Sequence, residues 1–276
     1  MSNSGTNAHQ GTEGESLCVI IPCLNEELLV RRTIEEVLGH ADALPMSLEV
    51  VVIDDGSTDG TRAVMQQLCA EYPACRMIAH DENRGLGRCV TEAYETIPDG
   101  TWVTVFPGDS EFVFAESVDN LLAARDGHDV VLGYLYNSVV RKLGRRVAST
   151  AFLKLTKTLY GFRWRALNGM KLYKVEAFKG IRTVSGGHAY VAELLAKAQL
   201  RSPELRITEA PFISRGRSIG NSHAIKLRSV LRAVHETYKG AKDVGIYREK
   251  MVARYQEDLL ENRADRPTFI PPSIGD

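Results

Sequence analysis

The sequence predicts an α/β fold built on a doubly wound, mostly parallel sheet, and three observations predict it. Three apolar, β-branched runs, Val19-Ile20-Ile21, Val50-Val51-Val52-Ile53 and Val103-Thr104-Val105-Phe106, each end abruptly in polar residues. Such runs read as parallel strands buried on both faces that hand polar groups to the carboxyl edge of a sheet. Stretches of helical periodicity alternate with them, which is the order of repeated βαβ units. The segments after the runs are mostly carboxylates and amides, not a glycine-rich phosphate cradle. Open sheets bind ligands at that edge. The expectation is a nucleotide whose ribose and base are held by side chains and whose diphosphate is held through a metal.

Taken in order, the first strand is expected over 17–22, with Asn25-Glu26-Glu27 opening a helix to about His40. A second strand over 48–53 leads to a helix over 59–71, capped by Ser57 or Thr58. A third strand over 76–80 is followed by the turn Asn83-Arg84-Gly85-Leu86-Gly87 and a helix over 88–96. Strand four spans 101–106, a helix 116–125, and strand five 129–134. The pattern then changes to one or two basic helices over 137–162, a turn and short strand over 166–173, a helix over 189–199, a strand over 204–212 and a helix over 225–238. The expected division is a disordered leader over 1–15, a main domain over 16–238, and a helical extension with a loose tail over 239–276.

The 276 residues suffice for a sizeable core without staples. The five cysteines lie in the first third, are odd in number and form no C-x-x-C pair, so a disulfide framework or a zinc site is not expected and a reducing cytoplasm is. Cys18 and Cys23 flank the first strand as core thiols. The leader lacks an apolar core of signal-peptide type. Nowhere is there an apolar run of 18 residues, so no membrane span is expected.

Four features carry chemistry. Asp54-Asp55-Gly56-Ser57-Thr58-Asp59-Gly60 is either a plain turn with a helix cap or, because it follows a buried strand, an acceptor of hydrogen bonds from a ribose diol or a base. A calcium loop fits less well, since no glutamate stands at loop position 12. Asp109 and Glu111 are two apart, so in an extended segment both point one way. Two such carboxylates suit Mn²⁺ or Mg²⁺, which also take phosphate oxygens. From Val130 to Val175 there are ten Lys or Arg and no acid, interleaved with apolar and aromatic residues. That stretch suits a membrane surface or a phosphorylated acceptor. A net charge of −1 and an acidic first half argue against nucleic acid. Finally, Arg215-Gly216-Arg217-Ser218, with Lys226 beyond, follows a strand and could clamp a diphosphate.

In combination and in order, these residues resemble the inverting family 2 glycosyltransferases, closest to the dolichol- and polyprenyl-phosphate sugar synthases of the dolichol-phosphate mannosyltransferase type. Pro22-Cys23-Leu24-Asn25-Glu26-Glu27 resembles P-x-x-N-E-E, Asp54 to Thr61 resembles D-D-G-S-x-D-x-T, and Asn83 to Gly87 resembles N-x-G-x-G. Asn168 to Lys174 resembles S-G-F-R-L-Y-R, and Glu209 to Arg215 resembles E-x-P-x-x-F-x-x-R. The resemblance implies a GT-A fold with basic acceptor helices. It also implies metal-dependent, inverting transfer of a sugar from a nucleoside-diphosphate sugar to a polyprenyl phosphate, by a cytoplasmic protein peripheral on the inner face of a membrane. Pro22, Asn25 and Glu26 would line the nucleotide pocket, Asp55 with Asp54 would hold base and ribose, and Arg88 would approach the diphosphate. Asp109 and Glu111 would hold Mn²⁺ or Mg²⁺. Arg145, Arg146 and Ser149 resemble the R-R-x-x-S of the acceptor helix; Arg215 would contact phosphate, with Arg217 and Lys226 on the same side.

The chain departs from the pattern in three places. Pro107 replaces the first Asp of the D-x-D motif, Gly133-Tyr134-Leu135 lacks the arginine of G-S-R, and Arg165 replaces an Asp. A soluble transferase acting on a sugar hydroxyl is the alternative; it needs a base, for which Asp109, Glu111 and Glu193 are candidates. Pro107 also leaves open a catalytically inactive nucleotide-sugar-binding module. A nicotinamide dehydrogenase is disfavoured, because no G-x-G-x-x-G follows the first strand.

Overall fold

A computed structural model describes residues 14–137, 143–167, 169–216 and 227–261. Nearly all of the expected leader, and the tail from residue 262, lie outside the described residues. The sheet has seven strands in the order β3-β2-β1-β4-β6-β5-β7. They are β1 (Ser16–Cys23), β2 (Ser47–Asp55), β3 (Cys75–His80), β4 (Trp102–Val105), β5 (Val130–Leu135), β6 (Lys171–Lys174) and β7 (Ile207–Phe212). Six run one way; β6 pairs antiparallel with both β4 and β5. The helices are α1 (Val30–Leu38), α2 (Thr61–Glu71), α3 (Leu86–Tyr94), α4 (Phe114–Ala123), α5 (Leu143–Tyr160), α6 (Tyr190–Arg201) and α7 (Leu227–Glu261).

The alternation along β1 shows how the layers form. Leu17, Val19 and Ile21 pack with Val30, Ile34, Met65 and Leu121 from α1, α2 and α4. Cys18 and Ile20 face the opposite side, with Cys89 and Val90 of α3, Leu194 and Leu195 of α6 and Val244 of α7. Both faces are therefore covered, as a central parallel strand requires. Cys18 and Cys23 are buried thiols, as expected. Burial pushes both thiols well above their usual range.

Some local expectations fail for identifiable reasons. The segment after Asn25 forms a turn, in which the Glu26 carbonyl accepts the N–H groups of Leu29 and Val30, and α1 begins only at Val30. Ser57 and Thr58 do not cap α2; they face Asn25 instead, and the Asp59 carboxylate takes the Thr61 N–H at 3.0 Å. The last region is one continuous helix, α7, which runs through the expected boundary at residue 238. Past that point it still packs inward: Val244 is buried, and Asp243 pairs with the buried Lys197.

Candidate active site

The carboxyl ends of β1 and β2 and the loop after β4 meet along one edge. Cys23 pairs in register with Asp54. The Gly108 N–H donates to the Pro22 carbonyl at 3.3 Å, which seats the Asp109 loop on the end of β1. A Cβ on Gly108 would lie 2.4 Å from Cys23 Sγ, so only glycine permits this approach. β2 and β4 flank β1, and neighbouring strands are about 4.8 Å apart, so the two acidic segments face each other across about 10 Å. Four carboxylates gather near the Cys23 thiol: after burial, Glu26, Asp54, Asp109 and Asp59 push it up, in that order.

The P-x-x-N-E-E segment is locked to the β2–α2 loop. Asn25, at a φ of +55°, accepts the Thr58 N–H at 2.8 Å and donates its own N–H to Ser57 Oγ at 3.0 Å. Glu26 donates its N–H to Thr61 Oγ1 at 2.9 Å, and Glu27 accepts the Gly60 N–H at 3.0 Å. Pro22 is half-buried behind them.

The two aspartates at the end of β2 do different jobs. Asp54 is fully buried; it accepts the Ser57 N–H at 3.0 Å and the Arg62 Nε–H at 2.5 Å. Asp55 accepts the Arg84 N–H at 2.6 Å and the Gly85 N–H at 3.0 Å, which fixes the Asn83-Arg84-Gly85 turn that opens α3. Arg88 is exposed on the first turn of α3.

Asp109 is half-buried, with Oδ1 accepting the Glu111 N–H at 3.2 Å. Ser110 between them has a φ of +53°, so the segment is a turn and not the extended stretch expected, and the Glu111 side chain is buried while Asp109 is half-exposed. The Glu111 carbonyl accepts the Arg215 N–H and the Ser214 hydroxyl, which ties the loop to the chain leaving β7. The Arg215 guanidinium donates to both oxygens of Glu36 on α1, each at 2.7 Å, and to Ser110 Oγ at 3.4 Å. Arg215 thus braces the acidic loop from behind. Counted from Glu209, the E-x-P-x-x-F-x-x-R spacing reaches Arg217, so Arg215 is an additional arginine two positions earlier. Arg217 and Lys226 lie outside the described residues, as does the side chain of Arg145; Arg146 and Ser149 are exposed on α5.

Glu193, a candidate base, is fully buried. It accepts the N–H groups of Val184 and Ser185 at 2.9 Å each and pairs with Lys197 at 2.6 Å. Glu36 and Arg62 escaped the sequence reading, because nothing in their local sequence marks a helix-borne charge as a brace for a loop far along the chain.

The sequence matches the family described as Glycosyl transferase family 2 over residues 18–190, more than half of the chain. It is 22% identical over 209 residues to glycosyltransferase AglJ of Haloferax volcanii, covering 73% of this chain and 64% of that protein. It is 24% identical over 236 residues to a dolichol-phosphate mannosyltransferase of Pyrococcus furiosus, covering 80% of this chain and 62% of that one. The chain thus spans slightly under two thirds of the length of these relatives. Among solved structures, glucosyl-3-phosphoglycerate synthase from Mycobacterium tuberculosis, crystallised with Mg²⁺ and uridine diphosphate, superposes with a TM-score of 0.62 at 16% identity. That match covers 84% of this chain and 81% of that chain, and it shows a shared GT-A fold.

Proposed function

The chain belongs to glycosyl transferase family 2, and on that premise we propose that it moves a sugar from a nucleoside-diphosphate sugar to a polyprenyl phosphate with inversion. One observation carries the reading: the Asp109 loop is seated on the end of β1, beside the Asp54-Asp55 end of β2, at the carboxyl edge of a parallel sheet. Such a concentration of negative charge in hard oxygen donors fits a divalent cation of the Mn²⁺ or Mg²⁺ kind. Asp109 and Glu111 would hold it, and Glu111 would supply the charge that Pro107 lacks. When bound, the ion offsets charge that develops on the departing diphosphate.

The chain's own residues do the rest. Asn25 and Glu26, interlocked with Ser57, Thr58 and Thr61, form a rigid wall against the nucleotide, and Asp55 sets the Asn83–Gly85 turn beside the base. Arg88, exposed on α3, would meet the diphosphate, and Arg217, by its position in the sequence, is the second candidate for that role. An acceptor phosphate oxygen attacks the anomeric carbon as the bond to the diphosphate breaks on the opposite face. That oxygen is already ionised at neutral pH, so no general base is required. Glu193 is fully buried against Lys197, Val184 and Ser185, out of reach of an acceptor, which is in line with this reading.

A lipid-borne acceptor is also supported by the surface. Arg146 and Val147 are exposed on α5, and Leu231, Val234 and Tyr238 expose an apolar stripe at helical spacing on α7. No helix among the described residues is long and apolar enough to cross a membrane, so a peripheral position on anionic lipid fits. The test is a panel of nucleotide-sugars presented with polyprenyl phosphate in vesicles, reading release of nucleoside diphosphate. Release that requires the lipid phosphate and disappears in Asp109→Asn is expected. Release only with a soluble hydroxyl acceptor would replace the lipid reading, and full activity in Asp109→Asn would overturn the metal assignment.

A further inference from the structure

Behind the end of β2, three side chains from separate elements turn ligand atoms toward one another. Asp55 closes β2, His80 closes β3 and Cys89 lies on α3. His80 Nδ1 is 3.5 Å from Cys89 Sγ and 3.7 Å from Asp55 Oδ1. The three ligand atoms all lie within 4.8 Å of one another, and the residues are 6, 5 and 1% exposed. A tetrahedral zinc ion with bonds of about 2.0–2.3 Å needs ligand separations of about 3.4–3.6 Å, so the triad already stands near that spacing.

A second observation points the same way. The other ring nitrogen of His80, Nε2, is 3.0 Å from a carboxylate oxygen of Glu92. A metal-bound histidine characteristically hands its remaining N–H to such a carboxylate, which fixes the tautomer and the ring plane. The surroundings also hold the ligands in place. Arg62 donates to the His80 carbonyl, and the N–H groups of Arg84 and Gly85 hold the two oxygens of Asp55, each of which keeps a second lone pair.

We propose that Asp55, His80 and Cys89 form a binding site for a borderline-soft divalent cation of the zinc type, with Glu92 supporting His80 and a water in the fourth position. Thiolate with imidazole selects such an ion over Mg²⁺ and Mn²⁺, so the site is chemically distinct from the oxygen donors Asp109 and Glu111. On binding, the Cys89 S–H bond is exchanged for a sulfur–metal bond and the proton leaves to solvent. No C-x-x-C spacing announces the site, because its ligands come from three elements that only the fold brings together.

The test is a titration of the full chain with Co²⁺, without nucleotide, read by thiolate-to-cobalt charge-transfer absorption. One equivalent should saturate the band, and Zn²⁺ should displace it. Cys69 and Cys75, whose sulfurs are 2.8 Å apart, offer a rival thiol site, so the Cys69→Ser/Cys75→Ser variant must keep the band while Cys89→Ser loses it. Glu92→Gln should retain the stoichiometry with affinity weakened about 10–100-fold. Absence of the band in the parent, its survival in Cys89→Ser, or its loss in the Cys69→Ser/Cys75→Ser variant overturns the site. If Cys89→Ser does not fold, Glu92→Gln decides: Glu92 is half-exposed, and unaltered cobalt affinity there refutes the proposal. The readout is metal binding, so the result is independent of the proposed transfer activity.

Discussion

Replacing Gly108 with alanine tests whether the acidic loop is held where the parallel edge needs it. Gly108 is not in the left-handed region, so alanine meets no backbone strain. Its new methyl group would fall 2.4 Å from Cys23 Sγ, well inside contact distance, whereas the next neighbour, the Pro22 carbonyl, is at an ordinary 3.4 Å. One extra carbon in a packed interior costs about 1–3 kcal/mol. Removing the Cys23 sulfur by Cys23→Ala costs about 1 kcal/mol, the scale of one buried methylene. If the two changes were independent, the double variant would lose their sum. If the sulfur is the obstacle, the methyl fills the space the sulfur leaves. The double variant then recovers about 1–2 kcal/mol, a coupling of the size expected for touching residues. Urea unfolding of the four proteins measures this, and nucleoside-diphosphate release should fall in Gly108→Ala and return in the double variant. Strict additivity, or a Gly108→Ala protein as stable and active as the parent, refutes the reasoning.

Further expectations follow from the braces and buried charges. Arg215→Ala removes a bidentate pair whose side chains are 25 and 20% exposed; discounted for that exposure, the stability loss is about 1 kcal/mol. Glu36→Gln should reproduce most of that loss in urea unfolding, and no change in either variant would show that the brace is idle. Lys171 is held down to about 8 by burial. The unfolded chain therefore binds the extra proton between about pH 8 and its ordinary value near 10.5. Lys171→Met should accordingly stabilise the protein at pH 7, and the gain should shrink as pH rises through that window; urea midpoints at pH 7 and 10 check the sign. On Gly240, a Cβ would lie 2.5 Å from Tyr160 Oη and 3.0 Å from Glu193 Oε2. Gly240→Ala should therefore lower the melting temperature by several degrees in a thermal scan.

Much of the parallel half was legible because β1, β2 and β4 are buried on both faces and read as unbroken apolar runs. Their ends were legible too, since a run such as Val50–Ile53 that stops at two aspartates marks a strand end. Helix starts were less so. Asn25 and Ser57 hydrogen-bond each other across 32 positions, and a local reading assigns such residues to their nearest helix. The separate roles of Asp54 and Asp55 were hidden for the same reason: Arg62, His80 and Arg84, which tell them apart, arrive from other elements. The charged stretch past residue 238 read as a detached extension because its polar face dominates, while the few inward positions, Val244 among them, show only when α6 is laid against them.

The reversed strand β6 has a consequence for how such a protein can diversify. Within the sheet, β3, β2, β1 and β4 share parallel ladders, whereas the ladders of β5 and β7 meet theirs through β6, which runs the other way. The chain beyond β5 can therefore lengthen or change sign without disturbing the ladder that aligns Cys23 with Asp54, while the chain leaving β7 stays tied to the acidic loop through Ser214 and Arg215. One part of the sheet edge is then free to drift, while the part that carries Cys23, Asp54 and the acidic loop stays under the constraint of a single shared register.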